Sequence, residues 1–363
     1  MSILIVTGAM APYTHLLYDA LARAIDEPLH VLACVEREPS RSWKWSDTGH
    51  YRMEVLPGVR LHRGTTRNFY YNPAVVRRLR ELAPRLVVVK DFSPTMLLAA
   101  RAAKRLGIPV GIHTDGVLAA DPGGHSLVRR LMRRAIISRS DFGIGPSYAS
   151  LQMLHLYGVA SEHLMLAPLT AGWKPAGPSP PLAERPFDLM FCGVLDDEVK
   201  GARFFADVVE ALALRRPGLS VRVVGEGPLR GELERRFAAA DVTAQFDGFV
   251  QQDALETKYG SAKLFMFPSR GDTWGIVANE AIQCGTPVIA SPHATAAQEL
   301  VLPARAGAVL PLHREDWVEA ALAILDDADR WQSAHDHALA TGAGQQLDQV
   351  VSVYRSLIHR YAR

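Results

Sequence analysis

Residues 265–292 read FMFPSRGDTWGIVANEAIQCGTPVIASP, and this stretch decides the fold. An apolar run ends at Pro268, a polar loop follows from Ser269 to Gly275, a helix is expected to open at about Ile276, and a second apolar run covers 286–290. Strand, loop, helix and strand in under thirty residues indicate parallel strands joined by a covering helix. Loop N–H groups and the positive end of the helix dipole converge at the helix start, which suits a diphosphate. Gly275 lets backbone approach an anion without a Cβ in the way. Asp272 and Glu280 stand eight residues apart, so two carboxylates can reach different parts of one elongated ligand. Carboxylates accept paired hydrogen bonds from vicinal hydroxyls, so ribose and hexose diols fit them.

Working outward, the same alternation fills residues 187–290, with strands expected at 187–192, 220–224, 243–246 and 264–268 and helices at 202–214, 229–239, 253–259 and 276–283. It also fills much of the first half, with strands at 3–7, 29–35, 86–90, 109–113 and 142–145 and helices at 13–24, 94–106 and 126–138. Between the halves, WKPAGPSPPLAERP carries five prolines and can continue neither a helix nor an inner strand. The expected organisation is an N-terminal doubly wound domain over 1–172, a linker over 173–186, a second such domain over 187–345, and a C-terminal helix over 346–363 that packs back on the first domain. In sheets of this kind ligands bind beyond the carboxyl ends of the strands.

The string Pro268, Ser269, Asp272, Gly275, Glu280, Ala281, Gly285, Thr286, Pro287, Val288, Ile289 resembles the signature of glycosyltransferase family 4, in which two glutamates flank seven residues. The resemblance implies an α/β fold of the GT-B type, two Rossmann-like domains facing each other across a cleft, and retaining transfer from a nucleotide-diphosphate sugar without metal or cofactor. In the family the second acid holds the donor ribose and the first contacts the donor sugar. Those roles pass to Glu280 and to Asp272, where the shorter acid departs from the pattern. Phe191–Gly201 (FCGVLDDEVKG) resembles the family's diphosphate motif through Gly193, Lys200 and Gly201, but Val194 stands where the family has arginine. Charge builds on the diphosphate as it departs, and Arg270 is the candidate replacement cation. Ser269, Gly275 and Ile276 complete the expected diphosphate cradle.

VRVVGEGPLRG (221–231) resembles the family's Gly-x-Gly-Pro turn and makes Glu226 a nucleotide-side candidate. Phe249 and Val250 resemble the segment whose backbone meets the base. The same turn fails as a dinucleotide fingerprint, because Arg230 occupies the third glycine position. In the first half, His113-Thr114 resembles the His-Thr of phosphatidylinositol mannosyltransferases, which implies that His113 reaches the donor sugar. Gly8 and Asp115 are expected on the acceptor side.

Composition frames these readings. The 363 residues carry three scattered cysteines, none in a Cys-x-x-Cys pair, so neither a disulfide framework nor a thiolate zinc site is indicated. No His/Cys cluster at metal spacing is seen. The apolar run at 3–6 is too short for a signal core, and a cytoplasmic protein is expected. Net charge is +2, yet residues 1–173 hold 21 Lys+Arg against 13 Asp+Glu, and the remainder holds 19 against 25. Arg77, Arg78, Arg80 and Arg85, then Arg129, Arg130, Arg133, Arg134 and Arg139, concentrate the excess. A basic face suits a phosphorylated or lipid-linked acceptor, or peripheral contact with the inner face of a membrane. No nucleic-acid motif accompanies it. Trp43, Lys44 and Trp45 form an aromatic-basic stretch suited to sugar stacking or headgroups. A saccharide acceptor of envelope or exopolysaccharide synthesis is expected. The alternative is a non-catalytic scaffold of the same fold that binds a nucleotide sugar or a partner glycosyltransferase.

Overall fold

The computed structural model describes residues 2–36, 43, 49–63, 67–120, 126–344 and 347–362. The chain forms two compact units, Met1–Gly172 with Leu347–Arg363, and Trp173–Gln346. The first unit runs β1 (Ile3–Thr7), α1 (Pro12–Ala24), β2 (Leu29–Ala33), β3 (Arg52–Val55), β4 (Val59–Arg63), β5 (Arg67–Tyr71), α2 (Ala74–Leu82), β6 (Leu86–Lys90), α3 (Pro94–Arg105), β7 (Val110–His113), α4 (Leu127–Ile137), β8 (Phe142–Gly145), α5 (Tyr148–Leu156) and β9 (Leu164–Leu166). The second runs β10 (Phe187–Cys192), α6 (Ala202–Arg215), β11 (Ser220–Val224), α7 (Arg230–Ala239), β12 (Thr243–Gly248), α8 (Leu255–Gly260), β13 (Ala262–Phe267), α9 (Ile276–Gln283), β14 (Val288–Ala290), α10 (Leu302–Ala304), β15 (Gly307–Val309), α11 (Arg314–Leu325) and α12 (Ala328–Gly344). The chain then returns to the first unit as α13 (Leu347–Tyr361).

The main sheet of the first unit is ordered β3-β2-β1-β6-β7-β8-β9, and that of the second β12-β11-β10-β13-β14-β15. Every pairing in both is parallel. The inner strands are apolar on both faces, as expected where helices cover both. In the first unit α1 and α13 bury Leu17, Tyr18, Leu21, Val350, Tyr354 and Leu357 against one face of the sheet. In each sheet the order reverses once, between β1 and β6 and between β10 and β13. Such reversal points leave a crevice at the carboxyl ends of the strands.

The elements named from sequence form within a residue or two of their expected bounds where strands are apolar and helices amphipathic. The antiparallel hairpin β4–β5, the edge strands β3 and β9, and helices α2 and α5 went unrecognised. Strands β3, β4 and β5 are short and polar, β9 has only three residues, and β4–β5 lies outside the main sheet, so neither a long buried run nor a clean alternation marks them. The proline-rich segment belongs to the second unit and is tied down there. Buried Arg185 donates to the carbonyls of Pro180 (2.9 Å) and Ala262 (2.7 Å) and to the hydroxyls of Ser179 (2.7 Å) and Thr286 (2.8 Å). Its guanidinium also lies over the Trp331 ring.

Candidate functional site

In the second unit the groups picked out from the sequence gather at the carboxyl ends of β10, β11, β12 and β13, on either side of the order reversal. The chain leaves β10 through Gly193, turns along 194–201, and enters α6 through Gly201 at φ +67°. A Cβ on Gly201 would sit 2.1 Å from the Pro268 carbonyl oxygen, so only glycine lets this loop close on the end of β13. Arg270 N–H and the Ser269 hydroxyl both donate to the Val199 carbonyl, at 2.7 and 2.9 Å. The two loops are thus stitched together, with fully buried Ser269 as a fastening. The turn after β11 packs as closely: a Cβ on Gly225 would lie 1.8 Å from the Gly193 oxygen.

This stitching brings Lys200 to Asp272, with Nζ 2.5 Å from Oδ2 in a pair about four-fifths buried. Arg270 is more exposed and faces Asp197 at 3.4 Å, on the loop that carries Val194. Gly275 caps α9 at φ +99° and supplies no side-chain cap of its own. Its missing Cβ has a packing reason as well, because a Cβ would meet the Phe267 ring at 2.5 Å. Ile276 opens the helix half-buried. One turn on, Glu280 is only 7% exposed and accepts a hydrogen bond from the Tyr259 hydroxyl at 2.8 Å. Burial pushes its pKa up to about 7, against the pull of that hydrogen bond. Glu226 sits at the rim, its carboxylate accepting from Arg230 at 2.6 Å. Phe249 presents a partly exposed ring, and Val250 is half-buried.

The first unit has its own crevice, where β1 and β6 part. A cavity of about 370 Å³ is lined by residues that include Gly8, Tyr13, Trp43, Lys90, Ser93 and Asp115. Lys44 and Trp45, next to Trp43, lie outside the described residues. Burial works against the Lys90 charge, but Tyr13, Asp91 and Asp115 outweigh it and raise its pKa. Asp91 takes φ +65° at the strand end and accepts from the Thr114 hydroxyl at 3.0 Å. Ser93, the residue before α3, is 5% exposed, and its hydroxyl has no partner. Proline at the first position of both α1 and α3 starts these helices on this crevice.

His113 stands apart from that cavity. It is buried at the end of β7, its Nδ1 2.8 Å from the Tyr354 hydroxyl of α13, and it lines a separate space of about 20 Å³. Burial, then the Lys90 charge, lowers its pKa to about 3, so the imidazole is neutral. Tyr13 borders both spaces. Among the described residues no three His, Cys, Asp or Glu side chains gather as a metal site.

Two family models match the chain: Glycosyltransferase Family 4 over residues 10–169 and Glycosyl transferases group 1 over residues 186–327. The chain belongs to glycosyltransferase family 4. A GDP-mannose-dependent alpha-mannosyltransferase of Mycolicibacterium smegmatis is 28% identical over 320 residues, covering 76% of this chain and 79% of that protein. A D-inositol 3-phosphate glycosyltransferase of Pseudarthrobacter chlorophenolicus is 26% identical over 186 residues, 48% of this chain and 44% of that protein, so the match spans less than half of that relative. Among solved structures, Anabaena HepE in complex with UDP superposes with a TM-score of 0.76 at 16% identity, covering 99% of this chain and all of that one. The fold is GT-B, and the chain is a glycosyltransferase that uses nucleotide sugars.

Family membership does not mark every group at these crevices. Tyr259 on α8 holds the Glu280 carboxyl, and the Trp274 indole donates to Asn279 at 2.7 Å, fixing the loop that precedes α9. Lys90 and Ser93 face the first-unit cavity. None stands in a spaced motif; Tyr259 lies 21 positions from its partner, so only the fold unites them. The one signal available for Lys90 was a cation closing an otherwise apolar strand, LVVVK.

Proposed function

We propose that this enzyme transfers a hexose from a nucleoside diphosphate sugar to a saccharide or lipid-linked acceptor, with retention and without a metal ion, in the building of cell-envelope glycans. The observation that carries the reading is the grouping of Lys200, Asp272, Glu280 and the open start of α9 at the order reversal of the second sheet. The diphosphate lies against Gly193, Lys200 and the first N–H groups of α9, the ribose diol against Glu280, and the donor sugar against Asp272. Ionised Glu280 accepts hydrogen bonds from the two ribose hydroxyls. As the sugar–phosphate bond breaks, Lys200 leaves Asp272 to meet the growing negative charge, and Arg270 supplements it where Val194 supplies none. The acceptor hydroxyl attacks from the face the diphosphate leaves, and its proton passes to the departing phosphate oxygen. The first-unit cavity receives the acceptor, whose diols suit Asp115 and whose ring faces suit Trp43 and Tyr13.

GDP-mannose is the donor to try first, since a relative matched over 320 residues is named for it. A thermal-shift screen of GDP-, UDP- and ADP-sugars, followed by transfer assays on a panel of acceptors without divalent metal, tests the reading. One donor should raise the melting temperature and be consumed, and the product anomer should match the donor's. Stabilisation by no nucleotide sugar would end it. The Lys200–Asp272 pair, with each partner already occupied, together with Val194, favours the scaffold reading as runner-up. Donor binding with no turnover on any acceptor would select it.

A further inference from the structure

The helix α4 carries a feature that sugar transfer does not use. Leu127, Val128 and Leu131 are 68%, 71% and 57% exposed on its outer side, while Ile136 and Ile137 turn inward and are buried. The apolar residues are not scattered: 127 and 131 are four apart and 128 and 131 three apart, so they form one contiguous stripe. Arg130 and Arg134, both exposed, run along one side of that stripe, whereas Arg129 and Arg133 fall on the inner side with Ile136 and Ile137; residues 126–140 contain no acid. A solvated basic helix normally carries polar residues between its charges, and leucine and valine at such positions need a partner that accepts both apolar groups and cations.

We propose that α4 docks the enzyme on an anionic bilayer surface. Leu127, Val128 and Leu131 enter the boundary between headgroups and acyl chains, and the arginines meet lipid phosphates with their stems along the apolar layer. Charge complementarity selects an anionic bilayer over a neutral one, because it offers phosphates to the arginines and an apolar layer to the leucines. Arg133 lies over the Phe92 ring at 5.4 Å, and Phe92 lines the first-unit cavity. Arg133, on the inner side of the helix, thus ties α4 to the wall of that cavity.

The test is co-sedimentation of the full chain, without donor, on vesicles of phosphatidylcholine with and without phosphatidylglycerol. Binding is expected only with phosphatidylglycerol and should weaken as salt rises. Replacing Arg130 and Arg134 by glutamine should lower partitioning by roughly twenty-five-fold, about fivefold for each charge. Leu127→Ser with Leu131→Ser should lower it by about tenfold, with the melting temperature unchanged because these side chains are exposed. A fluorophore on Leu131→Cys should shift to the blue on anionic vesicles. The proposal is overturned if the unmodified chain ignores anionic vesicles, if these variants bind as well as it does, if the label on residue 131 reports water throughout, or if Leu131→Ser instead dissolves a dimer seen by light scattering. Absence of sugar transfer would leave every one of these readings intact.

Discussion

The two order reversals of this molecule are built in different ways. In the second unit, glycines stitch three loops together: Gly201 against Pro268, Gly225 against Gly193, and Gly275 against Phe267, leaving Lys200, Asp272 and Glu280 on a frame with little freedom. In the first unit the crevice opens into a cavity of about 370 Å³ walled largely by side chains, with an unpartnered Ser93 hydroxyl and the Lys90 cation at its edge. Backbone contacts hold a shape that few sequences can make, whereas side-chain walls can be exchanged one at a time. On the proposed reading, the second unit holds the donor on a fixed frame and the first adapts to the acceptor.

The sharpest way to break this comparison is at Glu280. Glu280→Ala should lower kcat/KM by about a thousandfold, equivalent to about 4 kcal/mol, since a buried charged acceptor of two hydroxyls is lost. Steady-state transfer kinetics measure it, and wild-type turnover would remove the donor-site half of the argument. Next, Gly225→Ala forces a Cβ into the Gly193 carbonyl at φ +130° and should destabilise the protein by about 3 kcal/mol in chemical denaturation. A cost below about 1 kcal/mol would show that the loops can shift and that the frame is not rigid.

Protonation sharpens the same point. The Glu280 pKa stands near 7 in the folded chain against 4.5 for an ordinary glutamate, so between those values the folded state holds a proton that the unfolded state has released. Ligand-free stability should therefore fall as pH rises from about 4.5 to about 7 and level off above. Glu280→Gln should flatten that slope, and donor-induced stabilisation should grow through the same window as the carboxylate forms. Tyr259→Phe should move the window upward, because the hydrogen bond it removes favours the ionised form. Differential scanning calorimetry across pH reads all three.

The smaller effects belong to the first unit. Lys90→Met should raise the acceptor KM by roughly tenfold and leave donor affinity unchanged, as expected for one charge-assisted contact. Ser93→Ala should raise it only about threefold and cost almost no stability, since its hydroxyl has no partner to lose. A donor-affinity change in either variant would place these residues elsewhere in the reaction.

Much of the second unit was legible in the sequence because its constraints are local. A glycine required by φ, a helix start and two acids at fixed spacing all lie within 28 residues, and the loop that carries Lys200 is short. The first unit offered less. Its cavity draws on positions from 7 to 115, and its hairpin and edge strands lack the apolar runs that announce inner strands. His113 was picked out as a residue at a strand end, but only the fold shows its Nδ1 held by Tyr354, 241 positions away.

By itself the sequence determined the parallel α/β architecture and the donor-side loops, because alternating apolar runs and forced glycines admit few other backbones. The tertiary structure decided the side-chain environments: the Tyr259 clasp on Glu280, the pairing of Lys200 with Asp272, the Lys90 and Ser93 wall, and the outward face of α4. Those depend on burial and on contacts between residues far apart in the chain, and both exist only once the strands have been set in order.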